Sequence, residues 1–182
     1  EALNQHYARG VKPEENAAVL LWQIGHEDVS QAYRVEFYRK LGISPPPAEQ
    51  PLLVLLEDWE LSAEENDRLQ KARDEAMQAP WKASDYPAIA TWLEANEAAL
   101  DLAHEAAARP QYYFPLIAGD ENRTVISVLL PLVQVAREVG RALCARAMLR
   151  LQQGDYEGCW SDLFAAVRLG RHVAGAGFLI DG

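Results

Sequence analysis

Residues 141–171 read RALCARAMLRLQQGDYEGCWSDLFAAVRLGR. In the first half Leu143, Ala147 and Leu151 recur every four residues. In the second half Cys159, Leu163, Ala166 and Val167 recur at three-and-four spacing. Both patterns are those of a helix with one apolar face. Gly154-Asp155 between them is a turn signal. The stretch therefore predicts two helices joined by a tight reversal, with a small residue inside each to let them approach. The first helix extends backwards to about Ser127 through Leu129, Leu132, Ala136 and Val139, with Pro131 near its start. The second runs from about Tyr156 to Val173.

The same periodicity continues towards the N-terminus. Ala2 to Arg9 is expected to be a short helix ended by Gly10. Pro13 is placed to open a helix, where its missing N–H costs nothing, and Ala17, Leu20, Leu21 and Ile24 form its stripe. After Gly25, Asp28 can cap a helix carrying Val29, Tyr33, Phe37 and Leu41, which Gly42 stops. Residues 42–51 (GISPPPAEQP) hold four prolines and predict a stiff extended connection. It reads as a surface strap, because the apolar run Leu52 to Leu56 follows at once and needs burial. Ser62 and Glu65 are spaced as a capping box. Glu64→Arg68 and Asp67→Lys71 are i,i+4 pairs on the helix that follows, whose thin stripe is Leu69, Ala72 and Ala76. Pro80 ends it. Ser84 or Asp85 is expected to cap one longer helix with the stripe Ile89, Leu93, Asn96, Leu100, Ala103 and Ala107, ended by Arg109-Pro110. No segment alternates with period two. The predicted fold class is all-α, with antiparallel helical pairs and proline-rich connections. Leu52 to Leu56 and Tyr112 to Ile117 are the extended pieces.

Composition narrows the function classes. The chain has 182 residues, 49% hydrophobic and 24% charged, with a formal net charge of -10. That is enough apolar mass for a core, which excludes disorder. Two cysteines exclude a disulfide-dense scaffold. No apolar run is long enough for a transmembrane segment, and the acidic balance argues against nucleic acid as a partner. Residues 1–119 carry 10 Lys+Arg against 20 Asp+Glu, whereas residues 120–182 carry 7 of each. One all-helical domain is expected: an acidic helical part over 1–119 and a paired-helix part over 120–182. The absent initiator Met and the closing run Phe178-Leu179-Ile180 suggest a fragment of a longer protein. Cys144 and Cys159 are expected to be free, buried thiols.

The segment Arg141 to Arg171 resembles one tetratricopeptide-type helical hairpin, carried by Leu143, Ala147, Leu151, Gly154-Asp155-Tyr156, Cys159, Leu163, Ala166 and Val167. It departs from that pattern at Cys159, at Leu163 and at Arg171, and no second copy at a 34-residue period is visible. The resemblance implies a protein-binding scaffold. Across the wider chain, Asn16-Ala-Ala-Val-Leu-Leu, Trp92-Leu-Glu-Ala-Asn96, the Arg109-to-Pro115 loop, Arg146-Ala-Met-x-Arg150 and Arg168-Leu-Gly-Arg171 resemble a family of uncharacterised bacterial proteins. That resemblance implies an extracytoplasmic or membrane-anchored full-length protein. It brings no ligand, cofactor or catalytic residue.

Several constellations have two readings. Asp101, His104 and Glu105, with Glu97 a turn earlier, offer carboxylates and an imidazole to a transition metal or to acid–base chemistry; they also fit a solvated acidic face. A metal would need a second histidine, for which only His26 and His172 remain by elimination. Arg168, Arg171 and His172, with Arg137 and Arg141, could clamp an anion across the two helices, or pair with Glu138, Glu157 and Asp162. Tyr112, Tyr113 and Phe114 form either a peptide shelf or core plugs. Glu57-Asp58-Trp59-Glu60 could suggest a carbohydrate site but reads more simply as charges leading into the Ser62 cap. His26-Glu27-Asp28 is a helix boundary. No nucleotide-binding, zinc or nucleophile-elbow motif is present. The leading expectation is a non-catalytic helical module that contacts a protein or peptide partner; the alternative is an enzyme or metal protein using the Glu97–Glu105 face.

Overall fold

The computed structural model describes residues 10–25, 31–44, 52–115, 117 and 125–175. The expected helix at Ala2 to Arg9, the His26-Glu27-Asp28 boundary, the proline run and the Phe178–Ile180 run lie outside them. The described residues form seven α-helices and no strand. The helices are α1 (Ala17–Ile24), α2 (Gln31–Leu41), α3 (Ala63–Ala76), α4 (Pro87–Ala95), α5 (Glu97–Ala108), α6 (Val125–Gln153) and α7 (Tyr156–Ala174).

The short helix α1 is buried at every position except Gln23. A helix apolar all round belongs inside a molecule, and α1 packs on both α5 and α6. Both helices bury small residues, Ala17 and Ala18 on α1 and Ala99, Ala103, Ala106 and Ala107 on α5. Trp22 stacks on Phe37 of α2 at 4.1 Å between ring centroids, and Phe114 lies 5.3 Å from Phe37. This aromatic cluster joins α1, α2 and the 111–115 segment.

Two buried asparagines set how the non-helical segments run. Asn16 interrupts the helix expected from Pro13, so a 3₁₀ turn, Pro13–Glu15, precedes α1. The Asn16 Oδ1 accepts from the backbone N–H groups of Ala18 and Tyr113, while Nδ2 donates to the Tyr113 carbonyl. Arg109 donates to the carbonyls of Pro13 and Asn16. The 109–113 segment is thereby fixed along the start of α1.

Asn96 does the same for the strap. A single helix was expected here, but the chain breaks at Asn96 into α4 and α5. The Asn96 amide has no exposed surface. It accepts from Val54 N–H at 2.8 Å and donates to the carbonyls of Val54 and Trp92 at 3.0 and 2.9 Å. Trp92 Nε1 also donates to the Val54 carbonyl. Leu52 and Leu53 donate their N–H groups to the Ile24 carbonyl. The extended run thus lies across the end of α1 and the α4–α5 junction. The cap expected at Ser84 or Asp85 is also displaced: Pro87 opens α4, and Asp85 instead accepts from Lys82 N–H.

Other local rules hold where they are purely local. Ser62 and Glu65 form the reciprocal capping box of α3, and Glu64 pairs with Arg68. Lys71 pairs with Glu75 rather than Asp67. Gly42 and Gly154 have φ of +71° and +82°, a region that glycine enters without steric penalty. Gly154 lets the chain reverse between α6 and α7, which share the largest helix–helix contact.

Candidate functional site

Asp162 on α7 has no exposed surface, and three cations or potential cations surround it. Arg146 and Arg150 stand one turn apart on α6, so both reach towards the same carboxylate. Arg146 grips it with two parallel bonds, Nε to Oδ2 at 3.0 Å and Nη2 to Oδ1 at 2.7 Å. Arg150 Nη1 donates to Oδ2 at 2.8 Å. His104 Nε2, from α5, lies 2.7 Å from Oδ1. One side chain therefore ties three helices together. Planar guanidinium forks suit this role, since they satisfy a carboxylate in two directions at once.

The proton positions follow from the donors. A carboxylate can only accept, so in this contact the His104 Nε2–H donates to Asp162. The Ser161 hydroxyl lies 3.4 Å from the other ring nitrogen, Nδ1. The order Ser161–His104–Asp162 matches a nucleophile relay in outline. Its chemistry does not: Asp162 is neutralised by two arginines, the serine contact is long, and Ser161 stands inside a helix whose N–H groups are occupied. The arrangement is a structural tie. His104, Arg146, Arg150 and Ser161 line an open cleft of about 540 Å³ together with Asp101, Asp155 and Glu157. Asp155 caps α7 by accepting from Gly158 N–H at 2.9 Å. A Cβ at position 158 would collide with that carboxylate and with Arg150, which is why a glycine sits in the first turn.

Asp101 and Glu105 are exposed on α5, while His104 turns inward to Asp162. Among the described residues no group of three or more His, Cys, Asp or Glu is placed to hold a metal ion. Tyr113 is buried in the core, and its backbone is held by Asn16. Tyr112 is half-buried and stacks on His172, with ring centroids 6.2 Å apart and planes at 19°. Burial pushes the Tyr112 phenol well above its ordinary range. Arg168 and Arg171 are exposed. Arg141 pairs with Glu138 on its own helix, and Glu138 also takes the buried Arg73 from α3. Cys144 and Cys159 are free thiols. Burial raises the Cys144 thiol above its ordinary value, and the charge of Asp162 adds to this.

His172 gives a pH dependence. Burial lowers its imidazole below the ordinary 6.5, while a hydrogen bond with the Arg109 backbone acts in the opposite direction. The native state therefore binds fewer protons than the unfolded chain just below pH 6.5. Its contribution to stability is complete above that value and falls as pH drops through it towards the folded value. Replacing His172 with phenylalanine keeps a ring against Tyr112 and removes the titration. Urea unfolding at about pH 7.5 and 5.5 is expected to show a smaller acid loss in this variant than in the parent. An equal loss would show that His172 is not the group responsible.

The outer face of α7 carries what the sequence reading missed. Tyr156, Trp160, Phe164 and Val167 are 64%, 60%, 58% and 52% exposed. Their spacing of four, four and three aligns them on one side of the helix, and Trp160 stacks on Phe164 at 5.8 Å. The buried positions are Cys159, Asp162, Ala165 and Leu169, on the opposite side. Val167, expected to pack inward with Cys159, Leu163 and Ala166, faces solvent instead. The signal was present: α7 holds more large apolar residues than one face can accommodate. Comparison of the chain with protein-family models, with curated proteins and with solved structures found no match.

Proposed function

We propose that the protein is a non-catalytic helical module for protein–protein contact, and that α6 and α7 act as one tetratricopeptide-like hairpin whose outer side docks a protein partner. The observation that carries this reading is the line of four large apolar residues on the outer face of α7. Burying an aromatic side chain removes about 150–250 Å² from water, so three in line on one exposed helix face represent a large unfavourable surface. The rigid tie at Asp162 supports the reading, because it holds α7 against α5 and α6 while its outer side stays presented. Interfaces are enriched in tyrosine, tryptophan and phenylalanine at their centres.

The test is site-specific photo-cross-linking in cells. A photoreactive residue replaces Phe164 in one protein and the exposed Glu94 of α4 in another. A protein adduct is expected from position 164 and not from 94, and it is expected to vanish when Trp160→Glu is added. No adduct from position 164, or the same adducts from both positions, would refute the interaction module.

A further inference from the structure

We propose that the partner of the α7 outer face is a second copy of this chain, packed antiparallel about a twofold axis level with Asp162. This rests on the interaction-module reading and adds an identity and a geometry to it. The argument begins with the phase of the helix. At 3.6 residues per turn, Tyr156, Trp160, Phe164 and Val167 form a band about 16 Å long. The band runs along the side of α7 opposite Cys159, Asp162, Ala165 and Leu169. A helix that is apolar on two opposite sides needs a partner on each, and only the inner side has one among the described residues.

The charges beside the band distinguish the possible partners. Glu157 and Arg168 are both exposed, and they are eleven residues apart, close to three full turns. They therefore project on the same flank of the band, the acid near the start of the helix and the base near its end. Neither has an ion-pair partner among the described residues. A twofold axis perpendicular to the helix keeps a flank on its own side and reverses direction along the helix. Such an axis places Glu157 of each copy within about one residue of Arg168 in the other. It also sets Trp160 against the other copy's Phe164, in both directions. A parallel pair would leave the two Glu157 side chains level with each other on opposite flanks, with no arginine opposite. The surface is thus complementary to itself in one orientation, which is the condition for an isologous interface. Charges at such a rim set orientation and association rate more than affinity.

The area fits a reversible dimer. Three aromatics, each about 60% exposed, remove roughly 270–450 Å² per copy from water on the ordinary scale for such side chains. The pair therefore buries about 550–900 Å² from aromatics alone. Val167 and the flanking residues bring this towards the roughly 1,000 Å² of the smallest specific interfaces. A dissociation constant on the order of 1–100 μM is expected for an interface of that size.

Sedimentation of the purified protein across this concentration range tests the proposal. The mass is expected to rise from that of one 20.3 kDa chain towards that of two. Trp160→Glu and, separately, Val167→Lys are expected to stay monomeric at every concentration with an unchanged helical circular dichroism spectrum. Glu157→Arg alone and Arg168→Glu alone are expected to weaken association about tenfold, and the two together to restore it. A parent protein that stays monomeric throughout overturns the second-copy assignment. A dimer that survives Trp160→Glu and Val167→Lys overturns its location, and a double charge exchange that fails to restore association overturns the antiparallel order. If the cellular adduct from position 164 is a different protein and the purified chain is monomeric, the interaction module stands and the second copy falls. If there is no adduct at all, the interaction module itself fails.

Discussion

Asp162→Ala is expected to lower the unfolding free energy by about 3–5 kcal/mol, the usual cost of removing one partner of a buried ion pair. Asp162 has no exposed surface and is held by Arg146, Arg150 and His104. Without it, the buried Arg146 guanidinium has no counter-charge, and α5 loses the short His104 hydrogen bond to α7. Domains are stable by about 5–15 kcal/mol in total, so this one substitution removes a large share. Arg150→Ala is expected to cost less, about 1 kcal/mol, because Arg150 is half-buried and Asp162 keeps its fork with Arg146. Exchanging Asp162 and Arg146 together for leucine and methionine is expected to recover much of the loss, since well-packed apolar residues often equal a buried pair. Urea unfolding with an unchanged slope reads all three. A loss under 1 kcal/mol for Asp162→Ala would show that the carboxylate is not carrying the tie.

Asp162 also shows why the sequence disclosed some of this protein and hid the rest. The all-helical architecture was readable from period alone, because amphipathic spacing and stop residues act within a few positions. The Ser62–Glu65 capping box, the Gly42 stop and the Gly154 reversal are of this kind. The inner face of α7 was not readable in full. A pattern of apolar positions chose Cys159, Leu163, Ala166 and Val167, whereas the chain buries Asp162 and Ala165 and exposes Val167. A buried carboxylate is affordable only when its partners converge, and here they come from two other helices. The sequence offers Asp162 as an ion-pair partner for Arg137, Arg141, Arg168 or Arg171, whereas the fold pairs it with Arg146 and Arg150. The sequence offers His104 either to a metal or acid–base site with Asp101 and Glu105 or to a solvated face. Its position at the Asp162 tie depends on a residue 58 positions away. Tyr112 and His172 belong to separate groups in the sequence, and their stacking brings together residues 60 positions apart. The exposed aromatic band follows from the same rotation of α7: once Asp162 faces inward, Trp160 and Phe164 face out.

Asn96→Ala is expected to cost about 2–4 kcal/mol, the second-largest effect among these variants. The sequence placed Asn96 on an apolar stripe, in the middle of a helix. Its amide is the reason that helix breaks. It accepts from Val54 N–H and donates to the carbonyls of Val54 and Trp92. Alanine removes three hydrogen bonds worth about 1 kcal/mol each and leaves Val54 N–H without a protein acceptor. The Val54 carbonyl keeps Trp92 Nε1, so the strap is loosened rather than released completely. Hydrogen exchange separates this local effect from global loss: the Val54 amide is expected to lose its protection while the amides in the middle of α7 keep theirs, until global unfolding limits both. Asn96→Asp is the sharper variant. A carboxylate can still accept from Val54 N–H, yet it faces two carbonyl oxygens with no proton to offer them. It is expected to cost at least as much as alanine at neutral pH, although it is nearly the same size, because burying an unpaired charge is worse than leaving a space. An Asn96→Asp protein as stable as the parent would mean that the two donated bonds do not hold the strap.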